Sequence, residues 1–406
     1  MRMAFTFGFN QVISHGFGLF LFAALVPLMQ QSVDITSWHL ATIGALTQLA
    51  YLAGAMLLGV IGHRLDSGKL LLGSGLLTST LLFAMAWLND PLMITLVLTV
   101  MAFSAAFCWG GIVEMTTCYG RADRTSTNLS IAASGTAWGY SFNGLVILLV
   151  VPVFGWRSGW IAAAVFGLVV LLATLHLLRS LKRSSDNNAN INVELLIPSS
   201  AMSSGQLFKT VVTERTAFLS CLVLFLVGLS TMTFSTWLNV FLAQLELPAS
   251  LGGYTWSVIG ITGMVAGFVV GKLADQKGHG LALVAIFAAF AMGLTAFTYD
   301  PAKFVLLAGI GYGLMYFPIW GIIAGWVSKQ YSSKATMQIN GLGMVTFGLG
   351  GALGNLMAGF INDATGSLSN VYWLITAVSG VLLVLAGYIY LSGRTPANGE
   401  PLVGAH

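Results

Sequence analysis

The sequence predicts an all-α membrane protein of twelve transmembrane helices arranged as two pseudo-symmetric six-helix bundles. Three observations carry that expectation. They are the excess of apolar over charged residues, the recurrence of apolar runs long enough to cross a bilayer, and the alternation of Lys and Arg between them. Hydrophobic residues make up 57% of 406 and charged residues 7%, against roughly a quarter charged in soluble domains. A soluble fold of this length could not hide so much apolar surface, so lipid must cover it. The net charge of +4 sits in short gaps between apolar runs. It is a topology signal, and a nucleic-acid partner is not expected.

A span needs about 20 mainly apolar residues. The first half offers Phe5–Met29, His39–Gly62, Leu70–Leu88, Leu92–Tyr119, Thr127–Val153 and Trp160–Leu181. The second offers Ala217–Ala243, Ser250–Ala274, Leu281–Tyr299, Phe304–Val327, Met337–Asn362 and Val371–Leu391. The single Arg near the N-terminus precedes a long apolar stretch without a small-residue cleavage site, so this stretch reads as the first span. Asn89–Asp90–Pro91 and Asp300–Pro301 read as tight turns between antiparallel helices. The division is residues 1–181 as the N-terminal bundle, 182–216 as a cytoplasmic linker, 217–392 as the C-terminal bundle and 393–406 as a cytoplasmic tail. Within the linker, Gln206 to Glu214 has the pattern of a short amphipathic helix.

With the N-terminus on the cytoplasmic side, only Arg157 and Lys303 of the 17 Lys and Arg fall on the outer side. One missed or extra span would scramble that alternation, so the positive-inside rule supports both count and orientation. Trp38, Trp87, Trp156, Trp160, Tyr299 and Trp373 fall at predicted outer helix ends, where interfacial aromatics belong. The expected location is a cell membrane, a bacterial inner membrane, with both termini cytoplasmic. Cys108, Cys118 and Cys221 are odd in number and lie inside apolar runs. Neither a disulfide framework nor a metal site follows from them, and no cofactor is expected.

The halves echo one another. Gly59 to Arg64 closes the second span and Gly271 to Gln276 the eighth; Trp109-Gly110 in the fourth returns as Trp320-Gly321 in the tenth. A near-constant offset indicates duplicated halves, the usual architecture of secondary transporters. These residues resemble the major facilitator superfamily over the whole chain. The family's loop signature Gly-x-x-x-Asp-Arg-x-Gly-Arg is met by Gly271, Asp275 and Gly278, with Gln276 and His279 in the Arg places. The first-half copy keeps Gly59 and Arg64, but His63 replaces the Asp. Gly155-Trp156-Arg157 and Gly359-x-x-x-Asp363-x-Thr365-Gly366-Ser367 are similar to the monocarboxylate and organic-anion branch. Tyr140 stands after Gly139, where the antiporter signature has Pro.

Candidate site residues are the polar and aromatic groups at membrane depth, where polarity is costly. In span one, Asn10 with Ser14 and Gln11 with His15 stand at i, i+4 spacing and form a polar stripe. Histidine ordinarily titrates near neutrality, so His15 can bind solute, carry a proton, or simply hold one internal hydrogen bond. Tyr312, Tyr316 and Trp320 share one face of span ten. The resemblance implies that spans one, four, seven and ten line a cavity, which adds Trp109, Thr233, Trp237 and Asn239. Glu114 is a coupling group or a gate residue, and the resemblance favours a gate pairing with Arg64; Asp275 reads as a gate latch. Gly263, Gly267 and Gly271 form a small-residue face suited to close packing.

No Lys or Arg falls near the middle of a predicted span, which argues against phosphorylated or dicarboxylic solutes. No nucleotide-binding loop occurs, and no clustered groups suit an intramembrane enzyme. A non-transporting sensor of the same fold would need an output domain that the short termini do not supply. The expectation is a monomeric, proton-coupled symporter of a small organic solute, a monocarboxylate or aromatic compound, with proton-coupled efflux as the alternative. The expected partners are that small-molecule substrate, protons and membrane lipid.

Overall fold

The computed structural model describes residues 2–61, 65–119, 125–187, 203–331 and 333–392, and all regular structure among them is helical. Among the described residues, twelve helices are long and apolar enough to cross a membrane: Met3–Met29, Ser37–Leu58, Ser67–Met85, Pro91–Thr116, Ile131–Phe154, Trp156–Lys182, Arg215–Gln244, Ala249–Ala274, His279–Tyr299, Pro301–Ser328, Gln338–Thr365 and Ser369–Ser392. They are spans 1 to 12 below. Helices satisfy their backbone groups internally, as a chain in lipid must. Sharp starts come from caps: Asp66 accepts from the Lys69 amide at 2.8 Å and Asp300 from that of Lys303 at 3.2 Å. Hydrogen bonds from the Lys303 side chain and amide hold the Asp300 carboxyl below its ordinary range.

Span 6 begins at Trp156, four residues earlier than the apolar run suggests, because Gly155 at φ 79° turns the chain first. This corrects two expected interfacial aromatics. Trp160 is wholly buried, and Trp156 is buried with its indole donating to Ser32 Oγ at 3.1 Å. Trp38, Trp87, Tyr299 and Trp373 are exposed, as an interfacial belt requires.

Packing repeats with a period of six spans. Span 1 packs on span 5, span 2 on span 4, and span 3 on spans 4 and 6; correspondingly, 7 packs on 11, 8 on 10, and 9 on 10 and 12. The sequence echo is therefore an echo of contacts. Spans 1 and 7 are the most enclosed, each with 78% of its apolar window buried, against 28% for span 12. Glycines permit the closest crossing: a side chain on Gly16 of span 1 would come within 2.5 Å of the Gly139 Cα of span 5.

An even number of spans puts the start of span 1 and the end of span 12 on one face, the terminal face. The halves join through spans 2 and 11, 5 and 8, and 1 and 7. These contacts lie toward the opposite face. Span 2 meets span 11 from Ala41 against Gly359 to Leu52 against Gly348, and span 5 meets span 8 from Leu148 against Gly253 to Ala137 against Gly260. Of the predicted glycine row only Gly263 packs, against the Phe317 ring of its own half; Gly267 and Gly271 face open space, as does Gly341 of span 11. The expectation of a packed row is corrected to one packed position out of three. Among the described residues, the side-chain contacts between the halves concentrate toward the far face.

Between the halves, the helix of span 6 runs on to Asn187, and a helix over Ser204–Thr213 precedes span 7. Ser203 and Gln206 cap it reciprocally. Val211 is buried, whereas Phe208 and Val212 are exposed. Glu214, at its end, accepts a 2.6 Å hydrogen bond from Tyr331 beyond span 10. Burial and that bond push the Tyr331 phenol up to about 12.

Candidate solute-binding site

Span 1 changes pitch over Val12–Phe17, where one turn is π-helical. Such turns are rare and recur at functional sites. The turn holds Ser14 and His15. Ser14 Oγ lies 2.9 Å from the Asn10 carbonyl and 2.9 Å from His15 Nδ1. His15 Nε2 lies 3.4 Å from the Tyr51 hydroxyl of span 2, the rings meeting edge to face at 5.5 Å. Their i, i+4 neighbours point elsewhere. Asn10 Nδ2 donates to Thr174 of span 6 at 2.8 Å. Gln11 packs toward Gly135 of span 5, and its buried Oε1 accepts no hydrogen bond from the described residues. The four-residue stripe thus divides into Ser14 and His15, linked to Tyr51, and Asn10 and Gln11, which turn to spans 6 and 5 of the same bundle.

Span 10 is broken. Its helix stops at Tyr316 and restarts at Ile319, with Pro318 supplying no amide hydrogen. Interrupted helices persist at membrane depth where protein or a cavity surrounds them. Just before the break, the Tyr312 and Tyr316 rings lie 5.1 Å apart. Across the half interface, Tyr140 of span 5 places its hydroxyl 3.2 Å from that of Tyr312. Tyr140 is the hub of the cluster, with its ring 4.6 Å from Phe20 of span 1 and 4.9 Å from Trp256 of span 8. It lies 6.3 Å from Tyr316. The Ser235 hydroxyl of span 7 stands beside the same phenols. Trp320, half-buried past the break, meets Phe347 of span 11 at 4.9 Å. No Lys or Arg lies in the middle of a span among the described residues.

Beyond the aromatic cluster, amides close the far face. Asn239 of span 7 donates to the Ala24 carbonyl of span 1 at 2.6 Å and accepts from the Trp256 indole at 3.3 Å. Trp237 donates to Asn355 of span 11 at 3.1 Å. Gln244 donates to Asn362 at 3.0 Å, and Asn362 to Ser37 of span 2 at 2.7 Å. Thr233 bonds back to the Leu229 carbonyl beneath Gly354. Trp237 and Asn239 therefore sit in or beside a seal between the halves.

Trp109 packs with the small apolar cluster of Phe7, Ile112 and Met115, toward the terminal face of the first half. Glu114 is exposed near the terminal-face end of span 4. Arg64 and the Asp275 side chain lie outside the described residues. The residues missed from the sequence are Tyr51, Tyr140, Asn355 and Asn362 as members of these clusters. Asparagines within an apolar run are a readable signal, since amides at membrane depth bond across helices.

The sequence profile described as Major Facilitator Superfamily matches residues 9–325. Among solved structures, a mutant form of the nucleoside transporter NupG superposes with a TM-score of 0.74 at 15% identity, covering 96% of this chain and 100% of that one. A second NupG structure gives 0.71 at 15% identity, covering 98% and 100%. No curated protein sequence matches. At that identity the likeness speaks for the fold. The profile, with twelve spans and a repeated packing scheme, places the chain in its family: it belongs to the Major Facilitator Superfamily, a multi-pass membrane protein that is a secondary transporter of a small solute and not an enzyme.

Proposed function

We propose that the chain carries a small, partly apolar organic solute by proton-coupled symport, in which the two halves rock about the centre bounded by His15, Tyr51, Tyr140 and Tyr316. The supporting observation is the composition of that centre: aromatic rings from both halves, one imidazole, several hydroxyls and no mid-span cation among the described residues. Rings offer a flat solute apolar faces, and hydroxyls orient its oxygen atoms. Without a guanidinium to clamp a dianion, the fitting solutes are a monocarboxylate or an uncharged aromatic compound. His15 is the group that takes the proton. The terminal face is cytoplasmic by the positive-inside rule, so the far-face contacts close the outer side.

The test is uptake into proteoliposomes, using a panel of monocarboxylates, aromatic acids and nucleosides with and without an inward pH gradient. Accumulation of one class that collapses with the gradient is the expected result. Uptake indifferent to the gradient would remove the proton, and preference for a dianion would remove the solute class.

A further inference from the structure

Ser14, His15 and Tyr51 form a unit whose two hydroxyls occupy both nitrogens of one imidazole. We propose that Tyr51 reads the protonation state of His15 and converts it into a hydrogen-bond donor offered to the solute only when His15 is charged. The proposal rests on the proton-coupled reading above and adds the element that couples proton to solute.

The assignment follows from counting protons. Ser14 has one, and two acceptors stand at 2.9 Å, the Asn10 carbonyl and His15 Nδ1. With the carbonyl taking the Ser14 proton, the hydroxyl oxygen accepts from Nδ1–H. The neutral imidazole then carries its hydrogen on Nδ1 and its lone pair on Nε2. That lone pair faces Tyr51, 3.4 Å away, and the phenol donates to it. A hydronium ion reaching Nε2 gives up one O–H bond as one N–H bond forms, leaving a water molecule and a charged imidazole. Nε2 has become a donor, so the Tyr51 oxygen turns acceptor and its own hydrogen swings free. Ser14 needs no rearrangement, because it already accepts from Nδ1. Charging His15 therefore sacrifices no hydrogen bond and releases one donor.

The released donor has somewhere to go. Tyr51 is half-buried, and Tyr316 of the other half lies within its electrostatic reach. A carboxylate or carbonyl oxygen held between the two rings gains the Tyr51 hydrogen only in the charged state. The other titratable groups around this turn are Cys108 of span 4 and Tyr140 of span 5. Glu114 lies farther along span 4, about 9 Å from Cys108 by helical rise. Spans 3 and 6 carry Lys69 and His176 nearer the terminal face. No acidic or basic side chain touches the imidazole among the contacts described, so hydroxyls alone sense its charge.

Full-length protein in lipid, labelled with 15N-histidine and Cζ-13C-tyrosine, provides the test without any solute. Signals are assigned by their loss in His15→Gln and Tyr51→Phe. Neutral His15 is expected to carry its hydrogen on Nδ1. The Tyr51 resonance is expected to shift with the His15 titration midpoint, and that shift should vanish in His15→Gln. In Tyr51→Phe the Nε2 signal moves and the Nδ1 signal stays. A neutral His15 protonated on Nε2, or a Tyr51 resonance indifferent to the His15 titration, overturns the proposal. Both outcomes are independent of uptake, so failure of proton coupling in proteoliposomes is recognised separately.

Discussion

Replacing Asn239 with alanine should shift the balance between the two open states. In the structure its side chain donates to the Ala24 carbonyl at 2.6 Å and accepts from the Trp256 indole at 3.3 Å. The first bond crosses between the halves, and Asn239 is only 7% exposed. Losing a buried hydrogen bond costs about 0.5–1.5 kcal/mol, and leaving the Trp256 donor unsatisfied adds a penalty of about 1–3 kcal/mol. In the alternate state, opening at the far face lets water reach these groups, so the penalty falls mainly on the sealed form. Partial relaxation brings the difference to about 1–2 kcal/mol, or a shift of about 5- to 30-fold toward the far-open state. Spin labels at Asp34→Cys and Glu246→Cys, two exposed loop positions of the far face on opposite halves, report the separation in a background lacking the native cysteines. Double electron–electron resonance should show growth of a longer-distance population in Asn239→Ala. An unchanged distribution in a folded variant would refute the claim that this amide holds the halves together.

Three further outcomes are expected. Gly16→Ala puts a methyl within 2.5 Å of the Gly139 Cα; overpacking costs about 1–3 kcal/mol and should lower the thermal midpoint in detergent, whereas Gly73→Ala, with open space around it, should not. Glu114→Gln, if the residue closes a gate, depresses solute exchange and pH-driven accumulation together; intact exchange with lost accumulation would make it a coupling residue. Tyr331 holds its proton to about 12 in the fold against 10.0 for the free phenol. Its contribution is therefore present below pH 10 and lost as pH rises toward 12. Tyr331→Phe should flatten that alkaline loss in a stability titration.

The twelve spans were legible because lipid imposes one rule everywhere: apolar length, with cations on one side. The Asp–Pro break located even the short Asp300–Pro301 turn. The π turn over Val12–Phe17 was not legible, because Val-Ile-Ser-His-Gly-Phe contains nothing that an α-helix refuses. Ideal i, i+4 rows therefore grouped Asn10 with Ser14 and Gln11 with His15, whereas the Asn10 and Gln11 side chains turn to spans 6 and 5. Tyr51 was invisible for a related reason. A lone tyrosine in an apolar run carries no pattern, and its meaning depends on which helix stands opposite. Tyr312 and Tyr316 were readable as a face, yet their partner Tyr140 comes from the other half, beyond any local periodicity. Asn355 and Asn362 could have been found as paired amides one heptad apart.

Two uncharged bonds cross between the halves at the far face, Asn239 to the Ala24 carbonyl and Asn362 to the Ser37 hydroxyl, and Trp237, Asn355 and Gln244 bond behind them within the second half. An ion-pair latch weakens as dissolved salt shortens the reach of its charges, to about 10 Å at 0.1 M. Hydrogen bonds among amides, an indole, a hydroxyl and a carbonyl carry no such dependence and do not titrate in any environment a cell meets. Brine, dilute water, acid or alkali on that side leaves this closure untouched. The gradient of protons can then act where an imidazole waits for it, without also loosening the door on the other side.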